Sequence, residues 1–196
     1  MDLENKIAEI IESSSFEYLA QCYELNQTPP LGSMVKTKSE SGEIYGVVYY
    51  AETHGLELGR RAMARGKDLE TSEEIFKSNP QLTKLFITDF RVLVVGYYQD
   101  NDYYQYLPPK PSQIHNFIYN CQPEEVRGFT ESLDFLALIS NARISISVDE
   151  VMAACLRHAG LSYSDPRTFL VKAGKELAWL LGNDINRLNS ILKRLK

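Results

Sequence analysis

The apolar positions along the chain change period near its middle, and that change divides it. At the start, Leu3, Ile7, Ile10 and Ile11 fall at helical spacing, which predicts a short docking helix over residues 1–14. Phe16 to Leu25, rich in aromatic and apolar residues, reads as a strand or a second helix, with strand preferred. From Thr28 the signals are those of strands. Pro29, Pro30 and Gly32 punctuate the chain, and Met34 to Lys38 can form a strand. After a turn at Ser39–Gly42, Glu43 to Tyr50 is apolar on both alternating faces, as in a barrel wall covered from outside. Phe90 to Tyr98 is the strongest strand, Asp100-Asn101-Asp102 a hairpin turn, and Tyr103 to Leu107 the return. Pro108, Pro109 and Pro111 break the ladder, and Ile114 to Tyr119 predicts a last strand.

Between the two long strands, residues 54–68 read as a loop rich in glycine and arginine. Thr71-Ser72-Glu73-Glu74 is a capping-box pattern for a short helix that Asn79-Pro80 interrupts. Beyond Cys121-Gln122-Pro123 the period becomes helical. Pro123-Glu124-Glu125 suits a helix start, and Val126, Phe129, Leu133, Leu136 and Ile139 continue at helical spacing. Ser147 opens a further helix that ends at Gly160. Asp165-Pro166 opens another that stops at Gly182, and Ile185 to Leu195 makes a final amphipathic one. The predicted fold class is α+β: an N-terminal helix at 1–14, a small antiparallel β-barrel at 15–121, and an α-helical module at 123–196.

Composition leaves this picture intact. Hydrophobic residues make up 44% and charged residues 24% of 196 residues, ordinary for a globular chain able to bury a core. A net charge of −5 disfavours a general nucleic-acid binder, whose affinity comes from neutralising phosphates. Cys22, Cys121 and Cys155 are odd in number, with no pair at CxxC spacing, so free thiols in a reducing compartment are expected. Met1 to Ser15 lacks the apolar run of a signal peptide, and no stretch is long enough to span a membrane. A cytoplasmic location without membrane insertion is the expectation.

Motifs that carry chemistry are few in the chain. Gly66-Lys67 and Gly174-Lys175 invite a phosphate-loop reading. Arg61 and Phe169 stand where its first glycine belongs, however, and Asp68 and Glu176 follow the lysines, where an acid repels phosphate. His54, His115 and His158 are scattered and form no metal-ligand pair. Cys121 with His115 has no motif for an oxyanion hole or an orienting acid. No catalytic residue, metal or cofactor is therefore assigned. Arg60, Arg61, Arg65 and Lys67 fall within eight residues, and with the adjacent His54 they form the candidate partner- or anion-binding site, because arginine forks suit carboxylates and phosphates. The bland alternative is a solvated loop paired with Glu57, Asp68, Glu70, Glu73 and Glu74. The tyrosines of the strands read first as packing, and second as a binding face.

Pro30-Leu31-Gly32-Ser33-Met34-Val35 followed by Gly42-Glu43-Ile44-Tyr45-Gly46-Val47-Val48 resembles the HAS barrel, the barrel shared by HerA-type DNA translocases and rotary ATP synthase subunits. Residues 28–107 are the part it can cover. The longer pattern from His54-Gly55-Leu56-Glu57 through Asn79-Pro80-Gln81-Leu82 to Glu131-Ser132-Leu133-Asp134-Phe135-Leu136 resembles a small cyanobacterial protein family. In larger relatives this barrel precedes a motor domain and helps order a ring, and here no matching ATP-site positions exist. The resemblance implies a barrel without its engine, an adaptor for a ring ATPase or an assembly factor with a protein partner. Two other readings stand beside it: a single-stranded nucleic-acid binder, which needs the arginine loop beside the tyrosine face, and a small-molecule enzyme, which needs a deep pocket gathering His54 or His115 with acids.

Overall fold

The computed structural model describes residues 6–40, 42–57 and 62–195. Six strands close an antiparallel barrel: β1 (Ala8–Ser13), β2 (Glu17–Cys22), β3 (Met34–Ser39), β4 (Gly42–Gly55), β5 (Phe86–Gln99) and β7 (Phe117–Asn120). Around the ring the order is β2-β1-β7-β3-β4-β5, and the β2–β5 pairing closes it. The short β6 (Asp102–Tyr104) pairs with the end of β5 that β2 does not reach. Asp100 and Asn101 link β5 to β6 with φ of +52° and +69°, the left-handed pair that a two-residue hairpin turn needs and that these side chains tolerate.

The barrel predicted over 15–121 is thus present, but it begins earlier. Ala8–Ser13 is a strand and not a helix. Its apolar spacing imitates a helix because a register shift between Ile10 and Glu12 breaks the alternation along the strand. Pairing with β2 and β7 satisfies the backbone of this β-branched segment, while Ala8 and Ile10 fill the barrel. Phe16–Leu25 resolves as a strand, and β4 runs through His54 and Gly55, which the sequence placed in the loop.

Inside the barrel, Ile10, Tyr18, Val35, Ile44, Val48, Phe90, Val92, Val94 and Ile118 form one apolar core. Gly46 makes room for it. A Cβ there would stand 2.3 Å from a Val92 methyl and 3.5 Å from the Tyr18 hydroxyl. The opposite faces of β3, β4 and β5 carry Met34, Tyr45, Val47, Tyr49, Leu93 and Val95, which belong to a second core shared with the C-terminal helices. β4 and β5 are therefore buried on both sides, as their double apolar pattern requires.

The helices are α1 (Ser72–Ser78), α2 (Pro123–Phe129), α3 (Leu136–Asn141), α4 (Val148–Gly160), α5 (Pro166–Leu181) and α6 (Ile185–Lys193), with a turn of 3-10 helix at Pro80–Lys84. The stripe from Val126 to Ile139 belongs to two helices and not one. The Gln105 side chain accounts for the break. Its amide nitrogen donates to the carbonyls of Phe129 and Ser132, and its oxygen accepts from the Phe135 N–H. Helix α2 is seated by Tyr45, which stacks on Phe129 at 5.2 Å with Tyr103 edge-on. Lys36, buried on the outer face of β3, reaches Glu43 at 3.0 Å and Glu125 of α2 at 2.5 Å. Helix α4 is buried nearly all round and touches α3, α5, α6, β3 and β4. Gly32, at φ +83°, lets the loop before β3 lie against α4, where a Cβ would come within 2.4 Å of backbone atoms of Ala154 and Cys155. Among the described residues no helix is long and apolar enough to cross a membrane.

Candidate functional site

Of the predicted site, Arg60 and Arg61 lie outside the described residues. Arg65 and Lys67 are exposed in the connection between β4 and α1. The Arg65 guanidinium donates to Asn79 Oδ1 at 3.4 Å, and the residue borders an apolar recess with Met63, Ile75, Phe76, Leu82 and Phe86. At the N-cap of α1 the Thr71 hydroxyl donates to the Glu74 carboxylate at 3.0 Å and makes no bond to a helix N–H. His54 is engaged elsewhere. Its Nε2 lies 3.1 Å from Oδ2 of buried Asp89, which also accepts from Gln21. That bond to Asp89, helped by the Gly55 carbonyl, raises the imidazole pKa above its ordinary value.

His115 sits in the turn before β7 at φ +72° and pairs with Glu9 at 2.5 Å, which holds that carboxyl below its usual range. Both histidines thus meet an acid, and their side chains are 44% and 79% exposed. His158, on α4, is shifted down by burial, and Arg157 adds to the effect. Burial pushes the thiols of Cys22 and Cys155 up to about 11 and about 12, so both stay protonated and poorly nucleophilic. No group of three metal-ligating side chains converges among the described residues.

The tyrosines divide. Tyr45 and Tyr49 are buried in the second core. Tyr97, Tyr104 and Tyr106 form a partly exposed cluster, with Tyr97 and Tyr104 stacked at 4.9 Å. This cluster stands near the Gly42 end of the β4–β5 ribbon, whereas Arg65 and Lys67 follow the other end, where Gly55 pairs with Phe86. Phe86 and Tyr97 stand eleven positions apart on β5, roughly 36 Å along the strand path.

A broad apolar groove lies in the last two helices. Asp165 caps α5, accepting from the N–H groups of Arg167 and Thr168 at 3.1 and 3.2 Å, and Gly182 ends it at φ +56°. Phe169, Ala173 and Leu177 form the stripe that α5 buries against the core. Helix α6 packs beside it, with Leu192 over Gly174, where a Cβ would come to 3.3 Å. Asp149 and Glu150, in the first turn of α4, bind Arg187 at 2.8 Å and Arg194, and so pin α6 in place. A second apolar stripe of α5 is left facing outward. Leu170, Val171, Gly174 and Ala178 join Leu188, Leu192 and Leu195 of the α6 segment to line an open groove of about 760 Å3. Val171 is 55% exposed, and Trp179, the single tryptophan of the chain, is 85% exposed one step further round the helix. Arg167 and Lys175 stand on the α5 bank of the groove.

Sequence reading missed this surface because α5 shows an ordinary amphipathic pattern. The available signal was its excess: apolar residues at 170, 171, 178, 179 and 180 exceed what one buried stripe uses. No protein-family model and no curated protein matches the chain.

Proposed function

We propose that this chain is a non-catalytic interaction module that engages a protein partner through the outer face of α5 and α6. The observation that carries the reading is the groove between these helices with Trp179 beside it. Tryptophan is among the residues most enriched at interaction hot spots, and a long apolar channel on a surface marks a contact site. The shape suits a helix laid into a groove better than a small ligand, because the channel is open along its length. The resemblance of the barrel to those of ring-forming motors makes an adaptor or assembly factor the preferred role. The barrel then serves as the rigid body on which α4 fixes the docking helices.

The test is a native capture with the tagged chain and, in parallel, the V171S/W179A variant, which alters only exposed positions. The wild-type chain brings down a stoichiometric protein partner, and the variant, with an unchanged melting curve, does not. Recovery of the wild-type chain alone, or equal capture by the variant, refutes the reading.

A further inference from the structure

The charges around the groove specify what lies in it. Residues 165–195 hold six lysines and arginines against three acids, in a chain of net charge −5. Three of the six cations are occupied within the fold. Arg187 and Arg194 hold the acids of α4, and Lys172 donates to the Glu131 carbonyl. Lys175 and Lys193 have no side-chain partner among the described residues, and Arg167 meets only the charge of the Asp165 carboxylate, with no ion pair at contact distance. Arg167 and Lys175 are eight residues apart on α5 and so share its groove-side bank. The groove is an apolar floor with the positive charges of Arg167 and Lys175 along its edge.

We infer that the occupant is an acidic amphipathic helix of a partner protein, with apolar anchors on the groove floor and carboxylates facing Arg167 and Lys175. This rests on the interaction reading above and names its partner's chemistry. The dimensions agree. From Pro166 to Ala178 the groove follows thirteen residues of α5, twelve rises or about 18 Å, the length of a helix of roughly three turns. Such a helix presents anchors at i, i+3 or i+4, and i+7, which match the spacing of Leu188, Leu192 and Leu195 across from it. A symmetric pairing of two copies through this face fits poorly, because it sets Arg167 and Lys175 of one copy among the same cations of the other.

The experiment is a selection of helical peptides from a phage library, randomised at every position, on the full-length chain. Recovered peptides are then measured at low and high salt against wild type, V171S/W179A and R167E/K175E. Both charge reversals lie at exposed positions of α5 and leave its core stripe untouched. The expected result is enrichment of peptides with an apolar stripe flanked by Asp and Glu. They lose affinity with V171S/W179A, weaken about tenfold or more with R167E/K175E, and weaken with salt. Three results overturn the inference. Enriched stripes without acidic flanks, lost with V171S/W179A, leave the interaction reading standing and remove the acidic partner. A wild-type dimer in sedimentation that V171S/W179A converts to monomer makes the occupant a second copy. No enrichment over V171S/W179A removes the helical occupant, while the native capture decides the interaction reading separately.

Discussion

Replacing Lys36 with methionine tests how the helical half is fastened to the barrel. The side chain is 4% exposed and lies 3.0 Å from Glu43 Oε1 and 2.5 Å from Glu125 Oε1. Both carboxylates are also held by neutral donors, Glu43 by the Tyr45 hydroxyl at 3.2 Å and Glu125 by the Gln122 N–H at 2.8 Å. Methionine keeps the length and apolar stem of lysine but leaves two carboxylates facing one another without a cation. Removing one member of a fully buried pair costs about 3–5 kcal/mol. Here the acids keep 22% and 21% exposure, so water screens part of the loss and about 2–3 kcal/mol is expected. With an m-value near 2 kcal/mol per molar urea, the unfolding midpoint followed by circular dichroism falls by about 1 M or more. The triple variant K36M/E43Q/E125Q removes the stranded charges and recovers at least half of that fall. A midpoint for K36M within error of wild type, or a triple variant no better than K36M alone, refutes the reasoning.

Four further outcomes follow from the geometry. Tyr18→Phe leaves stability unchanged or raises it by about 1 kcal/mol in urea unfolding, because the buried hydroxyl has no hydrogen-bond partner among the described residues; a clear loss contradicts this. Gly32→Ala lowers stability by at least about 2 kcal/mol in the same assay, since it adds a Cβ against the α4 backbone at a left-handed φ; a neutral result shows that the loop can move aside. His54→Ala loses stability in a pH-dependent way. The raised imidazole pKa means that its bond to Asp89 contributes fully below the unfolded pKa and fades as pH rises through the folded one, so melting curves of variant and wild type converge toward alkaline pH, and a constant gap refutes it. Asp165→Ala destabilises α5 at neutral pH. Asp165 is held below its usual range chiefly by the Thr168 hydroxyl, so its contribution is present above the unfolded pKa and lost as pH falls through the folded one; thermal melts that differ equally in acid count against the cap.

The parts of the fold that were legible carry their own local punctuation. Asp165-Pro166 and Gly182 bracket α5 because cap and stop are single-residue chemistry, and Asp100-Asn101 announces its turn for the same reason. The apolar faces of β4 declared a wall covered on both sides. What failed depended on partners distant in sequence. Ala8–Ser13 is a strand because β2 and β7 are there to bond it, and the break between α2 and α3 is held by Gln105, some 24 residues upstream of Phe129. The candidate site followed the same rule. Charge density drew the sequence reading to Arg65 and Lys67, a feature visible within eight residues. The α5–α6 groove exists only because α6 folds back beside α5 and leaves one of its two apolar stripes bare.

The two-sided wall of β4 and β5 also bears on inheritance. Tyr45, Val47 and Tyr49 face the helices, while Ile44 and Val48 face the barrel interior, so neighbouring codons serve different interiors. A recombination event that cut the gene at Gln122 would strand half of each packing surface on a separate product. The helical half cannot be lent to another host protein as a detachable cassette, nor can the barrel accept a foreign tail without rewriting every second residue of its outer wall. The seat of α5 and α6 therefore depends on strands whose side chains line neither helix's outer face.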